Sequence, residues 1–434
     1  MNKFFKLKER GTTVGREAVG GITTFLAMAY ILAVNPGILS GAGMSWGSVF
    51  TATAVSAGIA TLVMAFCANL PVALAPGLGL NAFFTYTVVL GMGCTWQFAL
   101  TAVLVEGIIF IILSFFGVRE AIIKSIPVTM RKAVAVGIGL FITLIGLVNA
   151  GIVGLDTGTT IGFENLNLDH PTALVAVIGL IITIILYLLK VPGSILVAIA
   201  ITTVIGIPFG VTTVPENFKA VSLPEAPYLF QFDFANVFTL KFLVVLFTFL
   251  FTDIFDTIGT LLGVAEQGNL KDKEGNILNA KGALMADAVG TVAGACLGTS
   301  TVTSFVESTS GVAAGARTGL ASVFTAILFF LSLFLSPLFA LIPSAATAPA
   351  LIFVGYLMMK SIVSIDFHDP TEGIPAFITI MVMPFAYSIS KGIAWGVISY
   401  VICKVAGKKA KDIPVATWIL AAVFVADIIF EAVK

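Results

Sequence analysis

Uncharged apolar runs long enough to cross a bilayer follow one another along almost the whole chain, and this succession limits the fold more than any other feature. A spanning helix needs roughly 20 mostly apolar residues. On that measure, helices are predicted near 17–39, 48–69, 72–91, 96–116, 130–150, 171–190 and 193–208. A second series follows near 238–263, 281–297, 299–315, 318–341, 345–363, 372–389 and 391–406, with a last apolar stretch at 414–432 that carries Asp427 and Glu431. Only 11% of the 434 residues are charged and the mean hydropathy is +1.08, whereas soluble domains average about 25% charged residues. A water-soluble enzyme is excluded, and an all-α integral membrane protein is expected.

The 23 basic residues balance the 23 acidic ones, so no basic face for nucleic acid is present. Cys67, Cys94, Cys296 and Cys403 are far apart and form no CxxC pair; they are expected to be small packing residues rather than a disulfide or metal framework. Lys3, Lys6, Lys8 and Arg10 precede the first apolar run, but no cleavage site follows. The run is expected to be a retained first span with a cytoplasmic N-terminus.

Charge asymmetry sets the topology. Arg119, Lys124, Arg131 and Lys132 fall on the predicted cytoplasmic side, as do Lys271, Lys273 and Lys281, and Lys404, Lys408, Lys409 and Lys411. The opposite loops carry Asp156, Glu164 and Asp169, then Glu216, Glu225 and Asp233. Two sets of seven spans must run in opposite senses because seven is odd. An echo between the halves supports this: Asp169-His170-Pro171-Thr172 opens the sixth span and His368-Asp369-Pro370-Thr371 the thirteenth. Both third-position spans also break helix rules. PVALAPGLGLNAFF (Pro71–Phe84) has Pro and Gly at mid-membrane, and TSTVTSFVESTSGVAAGARTG (Thr299–Gly319) opens β-branched and alternating. Interrupted spans at matching places of an inverted repeat point to a midplane binding site.

Carboxylates inside spans are costly unless partnered or protonated, so each is a candidate. Asp253 and Asp256 sit three apart in the eighth span, spacing that allows one helix face. Glu307 follows the extended start of the tenth span, where a half-helix should begin and offer unpaired N–H groups. Asp287 in the ninth span and Glu106 in the fourth complete the set. Each acid also has a plainer reading, a cap on a broken helix or a partner for Ser and Thr across the bundle, and this is favoured for Glu106. Asn81, at the expected start of a half-helix, would give an amide to a ligand or act as an N-cap. Phe83 and Phe305 would stack on a flat ring or simply pack, in a chain with 36 Phe. Acids without a deep Lys or Arg suit a neutral ligand presenting N–H donors, with a proton or sodium ion neutralising the cavity. A sulfate-type anion carrier would want fixed positive charge. A membrane-embedded enzyme would want HExxH or a His cluster, and neither occurs.

Five linked stretches carry a resemblance: TTFLAMAYILAVNP (Thr23–Pro36), APGLGLNAFF (Ala75–Phe84), FDTIGTLLG (Phe255–Gly263), ADAVGT (Ala286–Thr291) and TSFVESTSGVAAGARTG (Thr303–Gly319). In this order they resemble the AzgA-like purine permeases of the nucleobase–cation symporter, or nucleobase–ascorbate transporter, family. The resemblance implies about fourteen spans in a seven-plus-seven inverted repeat. After a cytoplasmic segment 1–16, a core domain would comprise 17–116 and 238–341, and a gate domain 117–210 and 342–434, with 211–237 an external loop. It implies proton-driven uptake of purine bases across the cell membrane, hypoxanthine and guanine before adenine, with no cofactor beyond the proton gradient, and dimerisation is a family expectation. Asp256 and Glu307 match the positions that hold the base, Asn81 matches the polar residue of the third span, and Asp287 the ninth-span acid; Glu307, Asp256, Asp287 and Asp253 are the expected proton-coupling acids. Ser308 and the amides near Ser304–Ser308 and Phe83–Phe84 would face ring acceptors. Asp256-Thr257 stands where the wider family often has a Glu-His pair, which removes any histidine from the proton path.

Overall fold

The computed structural model describes residues 4–115, 127–154, 162–163, 171–271 and 277–433. Arg119, Lys124, Asp156, Glu164, Asp169, His170 and Lys273, and the side chains of Asp427 and Glu431, lie outside the described residues. By length and composition, 10 described helical stretches can cross a membrane.

The first span is not one helix. Helix α1 (Val14–Met28) stops at Ala29–Tyr30, and α2 (Ile31–Ser40) continues beyond, with Pro36 inside it. Helix α3 (Trp46–Val63) ends in a wide π turn, closed when the Asn69 N–H reaches the Met64 carbonyl at 3.1 Å. Pro71 and Pro76 then forbid a helix, since proline lacks the N–H and clashes with the preceding turn. The chain instead runs extended as β1 (Leu74–Pro76) before α4 (Leu78–Ala82) and its wide-turn continuation to Gly91. Helix α5 (Trp96–Phe115), α6 (Val128–Asn149), a short pair β2 (Val153–Gly154) with β3 (Gly162–Phe163), α7 (Pro171–Leu188) and α8 (Ser194–Gly206) complete the first half.

The second half opens on α9 (Leu240–Gly268) and α10 (Ala280–Leu297), followed by β4 (Val302–Ser304) and the short α11 (Ser308–Ala313). Then come α12 (Gly319–Ser332), α13 (Ser336–Ala340), α14 (Ser344–Met359), α15 (Pro370–Phe385), α16 (Ile389–Ala406) and α17 (Val415–Val433). Asp369 caps α15 by accepting from the Thr371 N–H at 2.9 Å, and the Lys409 ammonium 2.6 Å away holds its carboxyl down to about 2. Lys404, expected in the following connection, lies in the last turn of α16. It is buried there against Glu372 at 2.6 Å, because its stem is enclosed by the bundle and only a carboxylate offsets the charge.

Strands β1 and β4 pair antiparallel at the centre, Leu74 with Ser304 and Pro76 with Val302. Non-helical backbone at this depth must be satisfied by protein, and it is. Ala73 accepts from the Phe305 N–H and donates to the Ser308 hydroxyl, both at 3.0 Å. The Leu74 N–H reaches Thr61, and Thr291 donates to the Val302 carbonyl. The Gly77 N–H donates to the Thr301 carbonyl at 3.0 Å, which is what starts α4 at Leu78. A Cβ on Gly77 would stand 2.5 Å from Thr303 Cγ2. Overpacking of this kind costs about 1–3 kcal/mol. Gly77→Ala is therefore expected to lower the melting temperature in detergent. Adding Thr303→Ser, which removes that methyl and keeps the hydroxyl, should restore most of the loss. Equal melting of Gly77→Ala and the parent would contradict this close fit.

The helices fall into two groups that pack mainly among themselves. One holds α1–α5 and α9–α12 around the crossed strands; the other holds α6–α8 and α14–α16. Glu17 ties the first group together. It is fully buried and accepts from Thr12, from the N–H groups of Arg317, Thr318 and Ala321, and from the Thr318 hydroxyl. Those amides form the orphan N-terminus of α12.

Candidate functional site

The two groups of helices enclose a cavity of about 1100 Å³. Helix α9 lends it one stripe, Thr252, Asp256, Gly259 and Thr260, which the helical repeat places on one face. Glu307, Thr309 and Ser310 enter from the start of α11, Val19, Thr23 and Ala27 from α1, and Val134, Ala135 and Ile138 from α6. Lys190 and Lys360, both exposed, stand at the rim. Outside the cavity lining, Tyr86 accepts from Asn149 Nδ2 at 3.1 Å and packs edge-on to Tyr387, itself edge-on to Phe141.

Asp256 and Glu307, from the eighth and tenth spans, share this cavity. Asp256 reaches close to the strand crossing: a Cβ on Gly77 would lie 3.6 Å from its Oδ2. Glu307 accepts a 2.5 Å hydrogen bond from the Tyr30 hydroxyl, in the gap between α1 and α2. Tyr30 is almost wholly buried and was not singled out from the sequence. The only local signal was its place in TTFLAMAYILAVNP, where no Gly or Pro marks a break.

The other candidates are placed elsewhere. Asp253 is fully buried and off the cavity, 3.4 Å from the Thr257 hydroxyl. Three residues span 300° of helix, so Asp253 and Asp256 stand about 60° apart, enough at a crowded face to separate them. Thr257 also donates to Asp287 at 2.5 Å and meets the Thr303 hydroxyl at 2.7 Å. Asp287 and Asp253 thus lie around one threonine that holds α9 to β4 and α10. Glu106 accepts from the Thr301 hydroxyl at 2.7 Å.

Asn81 does not open a half-helix. It sits a turn inside, fully buried, with Oδ1 accepting from Ser300 and Nδ2 without a partner. The helix starts three residues earlier because pairing with β4 fixes Gly77. For the same reason the Phe83 amide is spent inside the helix on Gly79 and Leu80. The Phe83 ring is buried edge-on against Phe249 at 4.8 Å, and Phe305 belongs to the packed core; neither ring lines the cavity. Ser308 is buried and its hydroxyl is taken by Ala73, while the amides of Phe305, Ser308 and Thr309 serve the carbonyls of Ala73, Phe305 and Val306. All four cysteines are free, and Cys67 is exposed rather than packed.

The family model described as Permease family (Xan_ur_permease) matches residues 15–395. The chain is 43% identical to the guanine/hypoxanthine permease PbuG of Bacillus subtilis, over 99% of this chain and 100% of that one. It is 41% identical to the adenine permease AdeP of Escherichia coli, over 99% and 96%. Among solved structures it superposes on the transmembrane domain of the cyanobacterial bicarbonate transporter BicA with a TM-score of 0.67. That match covers 88% of this chain and 97% of that one at 16% identity, a likeness of fold alone. The matches name permeases, so the protein is a multi-pass membrane transporter and not an enzyme. With a family match across most of its length and full-length relatives above 40% identity, the chain belongs to the permease family that the linked motifs of its first, third, eighth, ninth and tenth spans resemble.

Proposed function

We propose that this permease imports purine nucleobases, hypoxanthine and guanine first and adenine next, together with protons. The observation that carries the reading is the pair Asp256 and Glu307 in one cavity whose lysines stand only at its rim. A carboxylate accepts hydrogen bonds and a carboxylic acid also donates one, so the pair suits a neutral ring that presents both N–H groups and ring nitrogens. An anion would meet two acids and no deep base, which argues against a sulfate-type substrate despite the fold shared with a bicarbonate transporter. The printed names of the relatives, adenine and guanine/hypoxanthine permeases, support the same substrate class.

Two ionised carboxylates in one cavity repel each other and lose part of their hydration, and a bound proton removes much of that cost. Substrate would then bind best to the protonated site, and release would follow when the proton leaves on the other side. Tyr30 keeps Glu307 oriented while the proton comes and goes. We assign Asp253 and Asp287 to holding Thr257, and through it β4, rather than to carrying the proton. The helices around the crossed strands form the moving core and the second group the gate. With the N-terminus cytoplasmic, the cavity rim at Lys190 and Lys360 faces the cytoplasm, and the Tyr86–Asn149 contact closes the outside.

Uptake of labelled hypoxanthine, guanine, adenine and uracil into cells lacking purine uptake tests the reading. Saturable purine uptake that collapses with an uncoupler and ignores sulfate is expected. Sulfate competition, or uptake indifferent to the uncoupler, would contradict it.

A further inference from the structure

The α9 stripe contains a hydroxyl that the two acids leave unexplained. Thr252 stands one helical turn from Asp256, towards the closed end of the cavity, and is 2% exposed. Its Oγ1 has no hydrogen-bond partner. Buried hydroxyls are normally satisfied, and a threonine inside a helix has a ready solution in the carbonyl four residues back. This chain uses that solution repeatedly: Thr248, one turn earlier on the same helix, donates to Val244 at 2.9 Å, and Thr53, Thr202 and Thr379 do likewise. Among the described residues, Thr252 alone of the buried threonines whose hydroxyl lacks a partner lines the large cavity.

We propose that Thr252 is a specificity-determining residue whose hydroxyl donates a hydrogen bond to the exocyclic carbonyl oxygen of an oxopurine. The inference rests on the purine reading above and adds a contact that reading lacks. Asp256 and Glu307 act chiefly as acceptors for ring N–H groups, and neither supplies a dedicated donor for a carbonyl oxygen at the blind end. Val134 and Ile138 of α6 line the same cavity and bring only hydrocarbon. A ring held by the acids and carrying an exocyclic oxygen towards that end meets the one polar atom there that is unspent. A ring without the oxygen leaves the hydroxyl buried and unpaired, which is how a site built to hydrogen-bond a substrate group rejects the analogue lacking it.

The test is equilibrium binding of hypoxanthine and of unsubstituted purine to the purified full-length protein and to its Thr252→Val and Thr252→Ser variants. Thr252→Val should weaken hypoxanthine about tenfold while leaving unsubstituted purine near the parent value, since one net hydrogen bond is removed at constant shape. Retained purine binding shows that the variant is folded, and Thr252→Ser should restore the preference for hypoxanthine. Equal losses for both ligands, no loss for hypoxanthine, or failure of the serine variant to restore the difference would each overturn the assignment. A parent protein that binds neither ligand would instead remove the purine reading itself, and this inference with it.

Discussion

Glu307→Gln is expected to abolish concentrative uptake of hypoxanthine while preserving its binding. Glutamine keeps the length of the side chain and an acceptor oxygen for the Tyr30 hydroxyl, which approaches Glu307 to 2.5 Å. It cannot take up or lose a proton. If that proton is the coupling ion, substrate still enters the cavity but no longer responds to the proton gradient, and the inside-to-outside ratio settles at about one, because coupling requires both ligands to bias the same states. Labelled hypoxanthine accumulation in energised cells, beside exchange of preloaded substrate, separates the two. Normal accumulation by the variant would remove Glu307 from the coupling scheme. Loss of exchange as well as accumulation would assign it to binding alone.

Asp256→Ala is expected to act on affinity. The side chain reaches the strand crossing and lines the cavity opposite α11, so its removal takes a charge-assisted hydrogen bond from the ring and leaves space in its place. Such bonds contribute about 1.5–3 kcal/mol, so hypoxanthine binding should weaken by about 100-fold. Asp287→Asn is the matched control. Its partner is Thr257 rather than the cavity, so its effect should fall on thermal stability, with affinity changed less than about tenfold. Binding isotherms and melting curves for both variants check this. If Asp287→Asn weakens binding as much as Asp256→Ala, the division between a ligand-facing and a framework acid is wrong.

The parts legible in the sequence are those set by local chemistry. Long uncharged runs marked the helices, and the prolines and glycines of Pro71–Leu80 with the alternating Thr299–Ser304 marked the two places where helix gives way. Those segments pair as β1 and β4. What the sequence hid is set by partners far along the chain. The first residue of α4 depends on Thr301, more than two hundred residues away, so Asn81 was placed at a helix start that lies three residues earlier. The break at Ala29–Tyr30 has no Gly or Pro to announce it and coincides with the reach of Tyr30 to Glu307. Glu17 looks like an ordinary first-turn acid, yet its donors come from residues 317–321 as well as Thr12. Phe83 and Phe305 show the limit from the other side: aromatic identity says nothing about whether a ring faces ligand or core, and both face core.

The central claim is that a flat, uncharged purine bridges Asp256 and Glu307, and an experimental density map of the purified protein with saturating hypoxanthine tests it most directly. The account predicts ring density in the cavity between α9 and the start of α11, within hydrogen-bond distance of both carboxyl groups. Density for the ring elsewhere, or contact with only one of the two acids, would contradict it.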